Sequence, residues 1–89
     1  MDTIYDAKLL LVDDNAELLA LLCEQLRGAG YGHIRTAQSC AAARGCFAAE
    51  QLELMILDIN LPDGDGFTLF RTLHSMADIP ALFLSARDA

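Results

Sequence analysis

The chain is short of positive charge. Only 6 lysines and arginines stand against 13 aspartates and glutamates in 89 residues, a net charge of −7 with a pI near 4.4. An acidic surface repels phosphate backbones and anionic headgroups, so no direct contact with nucleic acid is expected from this segment. Long apolar runs are also missing. None approaches the roughly 18–20 residues of a membrane span, so no membrane partner is expected. The opening Met1-Asp2-Thr3-Ile4-Tyr5-Asp6 is acidic and lacks the positive start of a signal peptide. A cytoplasmic location is the expectation. There are 3 cysteines, an odd number that cannot close into a disulfide framework. Cys23, Cys40 and Cys46 fall in helical patterns and read as small buried or half-buried apolar residues. Cys40 and Cys46 are six apart, a spacing that puts them on different helix faces. No repeat, linker or low-complexity stretch divides the chain. One domain is expected, and an apolar share of 54% favours a packed core over disorder.

Apolar runs and turn residues alternate along the sequence. The unbroken run at Lys8 to Val12 predicts a strand buried on both faces, as in a parallel sheet. Asn15 is a good N-cap for a helix over 16–27, with Leu18, Leu19, Leu21, Leu22 and Leu26 on one broad stripe. Gly28 and Gly30 should end it. A short mixed segment from His33 to Ala37 reads as an edge strand. Ser39 caps a second helix, rich in alanine, reaching about Glu50. Leu54 to Leu57 is the central strand. Leu61-Pro62-Asp63-Gly64-Asp65-Gly66 is dense in turn residues and reads as a loop. A third helix over 67–76 turns Leu69, Phe70 and Leu73 inward, and Asp78-Ile79-Pro80 breaks it. Ala81 to Leu84 is a fourth strand. The β-α-β-α-β-α-β order implies right-handed crossovers, a parallel sheet and the α/β class.

Three of the strands end in polar groups. Leu9-Leu10-Leu11-Val12 runs into Asp13-Asp14, Leu54-Met55-Ile56-Leu57 into Asp58, and Ala81-Leu82-Phe83-Leu84 into Ser85. If these strands are parallel neighbours, three carboxylates and a hydroxyl converge where open α/β sheets place their chemistry. Two carboxylates about 5 Å apart repel by roughly 3 kcal/mol at an effective dielectric of 20. A proton or a cation must relieve this. Carboxylate and carbonyl oxygens suit Mg²⁺ with retained waters, and the absence of thiolates and histidines from the cluster speaks against zinc. Asp58 is the candidate nucleophile toward phosphorus, because it ends the central strand. Asp13 and Asp14 would hold the metal, and Ser85 could donate to a phosphoryl oxygen. Singly, each of these residues reads as a cap or turn former. The weight lies in their shared position in the βα order.

Two rival motifs fail. An EF-hand loop starting at Asp58 would have Pro62 at its third ligand position and Leu69 at its twelfth. The haloacid-dehalogenase-type signature resembles D-x-D, whereas this chain has Asp58-Ile59-Asn60-Leu61-Pro62.

Taken together, three segments resemble bacterial response-regulator receiver domains. Leu9-Leu10-Leu11-Val12-Asp13-Asp14-Asn15 looks like their first strand and acid pair. The run from Leu57-Asp58-Ile59-Asn60 to Gly66-Phe67 looks like their phosphorylation loop. Asp78-Ile79-Pro80 through Leu84-Ser85-Ala86-Arg87-Asp88 looks like their fourth strand and its ending. The last four of these residues are most like regulators with a winged-helix DNA-binding output domain. The resemblance implies a flavodoxin-like doubly wound fold and a phosphorelay, in which a sensor histidine kinase supplies a phosphoryl group to Asp58. The protein would be a self-phosphorylating acceptor rather than a turnover enzyme. It further implies direct Mg²⁺ ligation by Asp13, Asp58 and the backbone carbonyl of Asn60, with Asp14 helping through water. Ser85 would sense the phosphoryl group, Pro62 and Gly66 would shape the loop, and Asn60 and Arg87 would tune phosphoryl lifetime. The family's fifth strand, with its lysine and aromatic switch residue, has no counterpart in residues 1–89, nor do the last helices. The only lysine is Lys8, roughly 16 Å from Asp13 along its strand. The expectation is therefore a partial receiver, truncated after strand four, that tends to self-associate. The alternative is a non-catalytic receiver remnant serving as an interaction module.

Overall fold

The first strand, β1 (Lys8–Val12), is apolar at four successive positions, Leu9 to Val12, and all four are buried. A strand with both faces covered needs no polar alternation. The computed structural model describes residues 4–84 of the chain and places β1 inside a four-stranded parallel sheet. The other strands are β2 (His33–Ala37), β3 (Leu54–Asp58) and β4 (Ala81–Leu84), in the order β2-β1-β3-β4. Each crossover is a helix: α1 (Ala16–Ala29), α2 (Cys40–Ala49) and α3 (Gly66–His74). This is the expected doubly wound arrangement, with β2 at an edge. Among the described residues no helix is long and apolar enough to cross a membrane.

Alternation along the strands sorts two faces. Leu10 and Val12 of β1, with Met55 and Leu57 of β3, point to α2 and α3. There they pack with Ala43, Leu69 and Leu73 in the main core. Phe83 of β4 joins this side, its ring 4.7 Å from that of Phe67 and 5.7 Å from that of Phe70. Leu9 and Leu11 point to the opposite face, where Leu19 of α1 is buried. That face is only partly covered. Leu54, Ile56 and Leu84 are half-buried there, and Leu82 is 58% exposed.

Several boundaries differ from the sequence reading. The helix expected over 16–27 runs on to Ala29. Gly30, at φ 119°, makes the left-handed cap that stops it, while Gly28 sits inside with open space around it. Of the five leucines on its stripe only Leu19 is buried, and Leu21 is 49% exposed. One sheet face cannot cover a stripe that wide. Residues 60–65 are not a plain loop. Asn60–Leu61 pairs antiparallel with Gly64–Asp65, and α3 starts at Gly66. Cys40 is part of the main core, while Cys46, about 120° round the helix, is half-buried against it and lies 3.9 Å from the Thr36 carbonyl. The covered strip of α2 runs through Cys40, Ala43, Cys46 and Phe47, and the rest of the helix is exposed. All three thiols are free, with Cys40 buried and the others half-buried, as expected.

Candidate functional site

Strand register builds the site. Val12 stands opposite Leu57, so Asp13 emerges level with Asp58, and Asp58 stands opposite Leu84. Parallel neighbours bring strand ends to one edge, and here that edge carries the acids. Asp13 is 3% exposed and Asp58 4%, while Asp14 faces solvent. One carboxylate oxygen from each of Asp13, Asp14 and Asp58 lies within 4.8 Å of the other two. Ser85 and Arg87 lie outside the described residues.

Local hydrogen bonds orient the first acid. Asp13 Oδ1 accepts the Asn15 N–H at 2.8 Å, and the Asp13 N–H donates to the Ala37 carbonyl at 3.1 Å. Asn15 in turn caps α1, accepting from the N–H groups of Glu17 and Leu18. The turn-forming role of Asp13 is thus real, but it occupies one oxygen only. Asp13 Oδ2 and Asp58 Oδ1 are buried and accept no hydrogen bond. Burial pushes the Asp13 carboxyl above its usual pKa. The charges of Asp58 and Asp14 push the same way, and the Asn15 N–H pulls against them. Buried carboxylate oxygens without donors are costly, and a hard cation with oxygen preference fits the donor set.

The segment after Asp58 is held closely. The Gly66 N–H donates to the Ile59 carbonyl at 2.7 Å, closing the short antiparallel ladder. A Cβ on Gly66 would stand 2.2 Å from the Asp58 carbonyl oxygen, so only glycine fits. Asp65 caps α3, accepting from the Thr68 N–H at 2.8 Å and the Thr68 hydroxyl at 3.0 Å. Asp63 does something the sequence did not signal. It reaches across to α2 and accepts the N–H groups of Cys40 at 2.7 Å and Ala41 at 3.0 Å. These bonds hold its carboxyl below the usual range. Contacts spanning 22 and 23 residues leave no local pattern, so this one was invisible beforehand. Lys8 is at the opposite end of β1, its backbone N–H bonded to Glu53, as its place in the sequence required.

The response regulator receiver domain family matches this chain over residues 9–89. The chain belongs to that family. The sensory transduction protein BceR of Bacillus subtilis is 36% identical over 81 residues, covering 91% of this chain and 35% of the relative. The transcriptional regulatory protein GltR of Pseudomonas aeruginosa is 40% identical over 81 residues, covering 88% of this chain and 33% of the relative. Among solved structures, the non-phosphorylated HemR receiver domain of Leptospira biflexa is 32% identical with a TM-score of 0.84. That match covers 94% of this chain and 68% of the other. The chain thus spans about a third of the length of these curated relatives. Receiver domains are parts of two-component response regulators, and several relatives here carry the name of transcriptional regulators. The flavodoxin-like fold that the resemblance implied is the receiver fold, and the parallel sheet read from the βα order is its sheet.

Proposed function

We propose that this receiver segment accepts a phosphoryl group on Asp58 as one step of a phosphorelay. The phosphohistidine of a sensor histidine kinase is the donor. The P–N bond of the donor breaks, a P–O bond to an Asp58 carboxylate oxygen forms, and the imidazole leaves. The observation that carries this reading is the pair of buried oxygens, Asp13 Oδ2 and Asp58 Oδ1, that accept no hydrogen bond. Asp13 and Asp58 would hold Mg²⁺ directly with the Asn60 carbonyl, and Asp14, exposed at the rim, would help through water. When bound, Mg²⁺ neutralises phosphoryl oxygens during transfer. Asp13 keeps its orientation through the Asn15 N–H, so its free oxygen stays turned to the cluster. Gly66 lets α3 start against the Asp58 carbonyl. Ser85 is proposed as the hydroxyl that meets the phosphoryl group. Residues 1–89 are a partial receiver in this reading, ending after the family's fourth strand, and control of transcription belongs to the longer regulators it resembles.

Two exposed leucines, Leu21 and Leu82, favour a second reading, a receiver remnant acting as an interaction module. Incubation with Mg²⁺ and a small phosphodonor, followed by intact mass measurement, separates the two. The relay reading expects a gain of one phosphoryl group, lost in Asp58→Asn. No gain at any donor concentration refutes it and leaves the interaction module.

A further inference from the structure

Asp63 stands outside the acidic cluster, yet it ties the hairpin beside that cluster to a different part of the fold. Its two carboxylate oxygens take the N–H groups of Cys40 and Ala41, the first residues of α2. A helix leaves these donors without internal partners. The next free donor, the Ala42 N–H, goes to the Ser39 hydroxyl at 3.1 Å. So α2 has two caps, one local and one borrowed from residue 63. The borrowed one is fitted closely, because a Cβ on neighbouring Gly64 would stand 3.2 Å from the Cys40 sulfur. The tip of the hairpin therefore rests on α2.

The base of the same hairpin is the acidic site. Asn60 pairs with Asp65, Leu61 pairs with Gly64, and the Gly66 N–H bonds the Ile59 carbonyl, one residue from Asp58. Leu61 is buried in the core and anchors the middle. A two-by-two ladder is too short to hold its own orientation. Contacts outside the ladder hold it, Leu61 in the core and the Asp63 carboxylate on α2.

We propose that Asp63 is a positioning residue for the acidic site: by fastening the hairpin tip to α2, it sets where the Asn60 backbone carbonyl stands relative to Asp13 and Asp58. This rests on the proposed role of that carbonyl as a Mg²⁺ ligand. The competing role is plain capping, in which Asp63 only stabilises α2. Ser39 separates the two, since it caps the same helix and makes no hydrogen bond to the hairpin.

The test is a Mg²⁺ titration of the 89-residue chain followed by amide NMR, with urea unfolding alongside. The variants are Asp63→Ala, Asp63→Asn, Ser39→Ala and Asp58→Asn. Asp63→Ala is expected to weaken Mg²⁺ binding about tenfold, the lower end of what outer partners of metal ligands contribute. Its Asn60 and Leu61 amides should shift before any Mg²⁺ is added. Asp63→Asn keeps one acceptor oxygen and should fall between. Ser39→Ala should lower the unfolding midpoint but keep wild-type Mg²⁺ affinity and wild-type Asn60 and Leu61 shifts. Unchanged affinity in Asp63→Ala, or an equal loss in Ser39→Ala, overturns the inference while the metal site stands. A wild-type chain with no saturable response, or one that Asp58→Asn does not alter, overturns the metal reading and this inference with it.

Discussion

Replacing Gly66 by alanine adds one methyl group at the worst place in the molecule. That carbon would meet the Asp58 carbonyl oxygen at 2.2 Å, the Asp58 carbonyl carbon at 3.1 Å and the Ile59 Cα at 3.2 Å. Carbon and carbonyl oxygen ordinarily approach to about 3.3 Å, so the chain must open by roughly 1 Å. All three atoms are backbone, and no side chain can swing away. Either the end of β3 or the start of α3 moves, stretching the 2.7 Å bond from the Gly66 N–H to the Ile59 carbonyl. Overpacking of this kind costs about 1–3 kcal/mol and a weakened hydrogen bond up to about 1 more. Alanine returns roughly 0.5–1 kcal/mol at a helical position. The expected net loss is about 2 kcal/mol, large against the 5–15 kcal/mol of a typical domain. At an m-value near 1 kcal/mol/M the urea midpoint should fall by about 2 M. Gly28→Ala is the matched control. Gly28 lies inside α1 with no atom within 4 Å of an added Cβ, so that change should stabilise by about 0.5–1 kcal/mol. The same chemical change thus has opposite signs at two sites. A Gly66→Ala chain with the wild-type midpoint would refute the close-approach reasoning.

Asp13→Asn should stabilise the chain in EDTA, by an amount that grows with pH. The Asp13 pKa is raised above its usual 3.8, so the folded state holds its proton more tightly than the unfolded state does. Its contribution to stability is full below 3.8 and is lost as pH rises through the raised value. Urea unfolding of both chains between pH 3.5 and about 7 should show the gap widening upward, and a constant gap would contradict it. Asp58→Asn should weaken Mg²⁺ binding at least tenfold in an NMR titration, because it removes an anionic ligand, and equal affinity would misplace the site. The 89-residue chain should associate reversibly at micromolar concentration in sedimentation runs. Leu82→Lys should weaken that association tenfold or more, since burying one leucine is worth about 1.5–3 kcal/mol. Identical sedimentation of wild-type and Leu82→Lys chains would exclude this face.

Local chemistry made most of the fold legible. Strand runs such as Leu9 to Val12 announce burial on both faces, and Asn15 and Ser39 sit where caps must sit. The acidic edge followed from topology alone, because parallel order forces Asp13 and Asp58 to one end. Exposure was harder to read. The α1 leucines form a wide stripe, but periodicity gives the width of an apolar face and not the area available to cover it. Gly28 and Gly30 looked equivalent, and only the backbone shows that Gly30 carries the positive φ. The hairpin of residues 60–65 was hidden by its own turn residues. Pro62, Asp63 and Gly64 mark a reversal but say nothing of the short ladder around it. Asp63 was legible only as a turn former, since its partners lie 22 and 23 residues away.

The acidic edge conflicts with the stability of the rest of the molecule. Every other buried position of the sheet is apolar and close-packed, yet at its end two carboxylates share a nearly dry space with no donor for one oxygen each. A fold selected only for stability would place asparagine or an apolar residue there, and the Asp13→Asn prediction follows from that. The strain is not relaxed by the surroundings. Asn15 fixes Asp13, strand pairing fixes Asp58, Gly66 admits no slack behind it, and Asp63 fastens the hairpin beside it. Rigid neighbours keep the two oxygens from turning to solvent. In the proposed function, that same constraint leaves them available to a cation and then to a phosphoryl group. Binding free energy at such a site adds to the stability of the occupied state. On that proposal the site would link phosphoryl chemistry to the stability of the sheet edge, through the same two oxygens that make the edge costly.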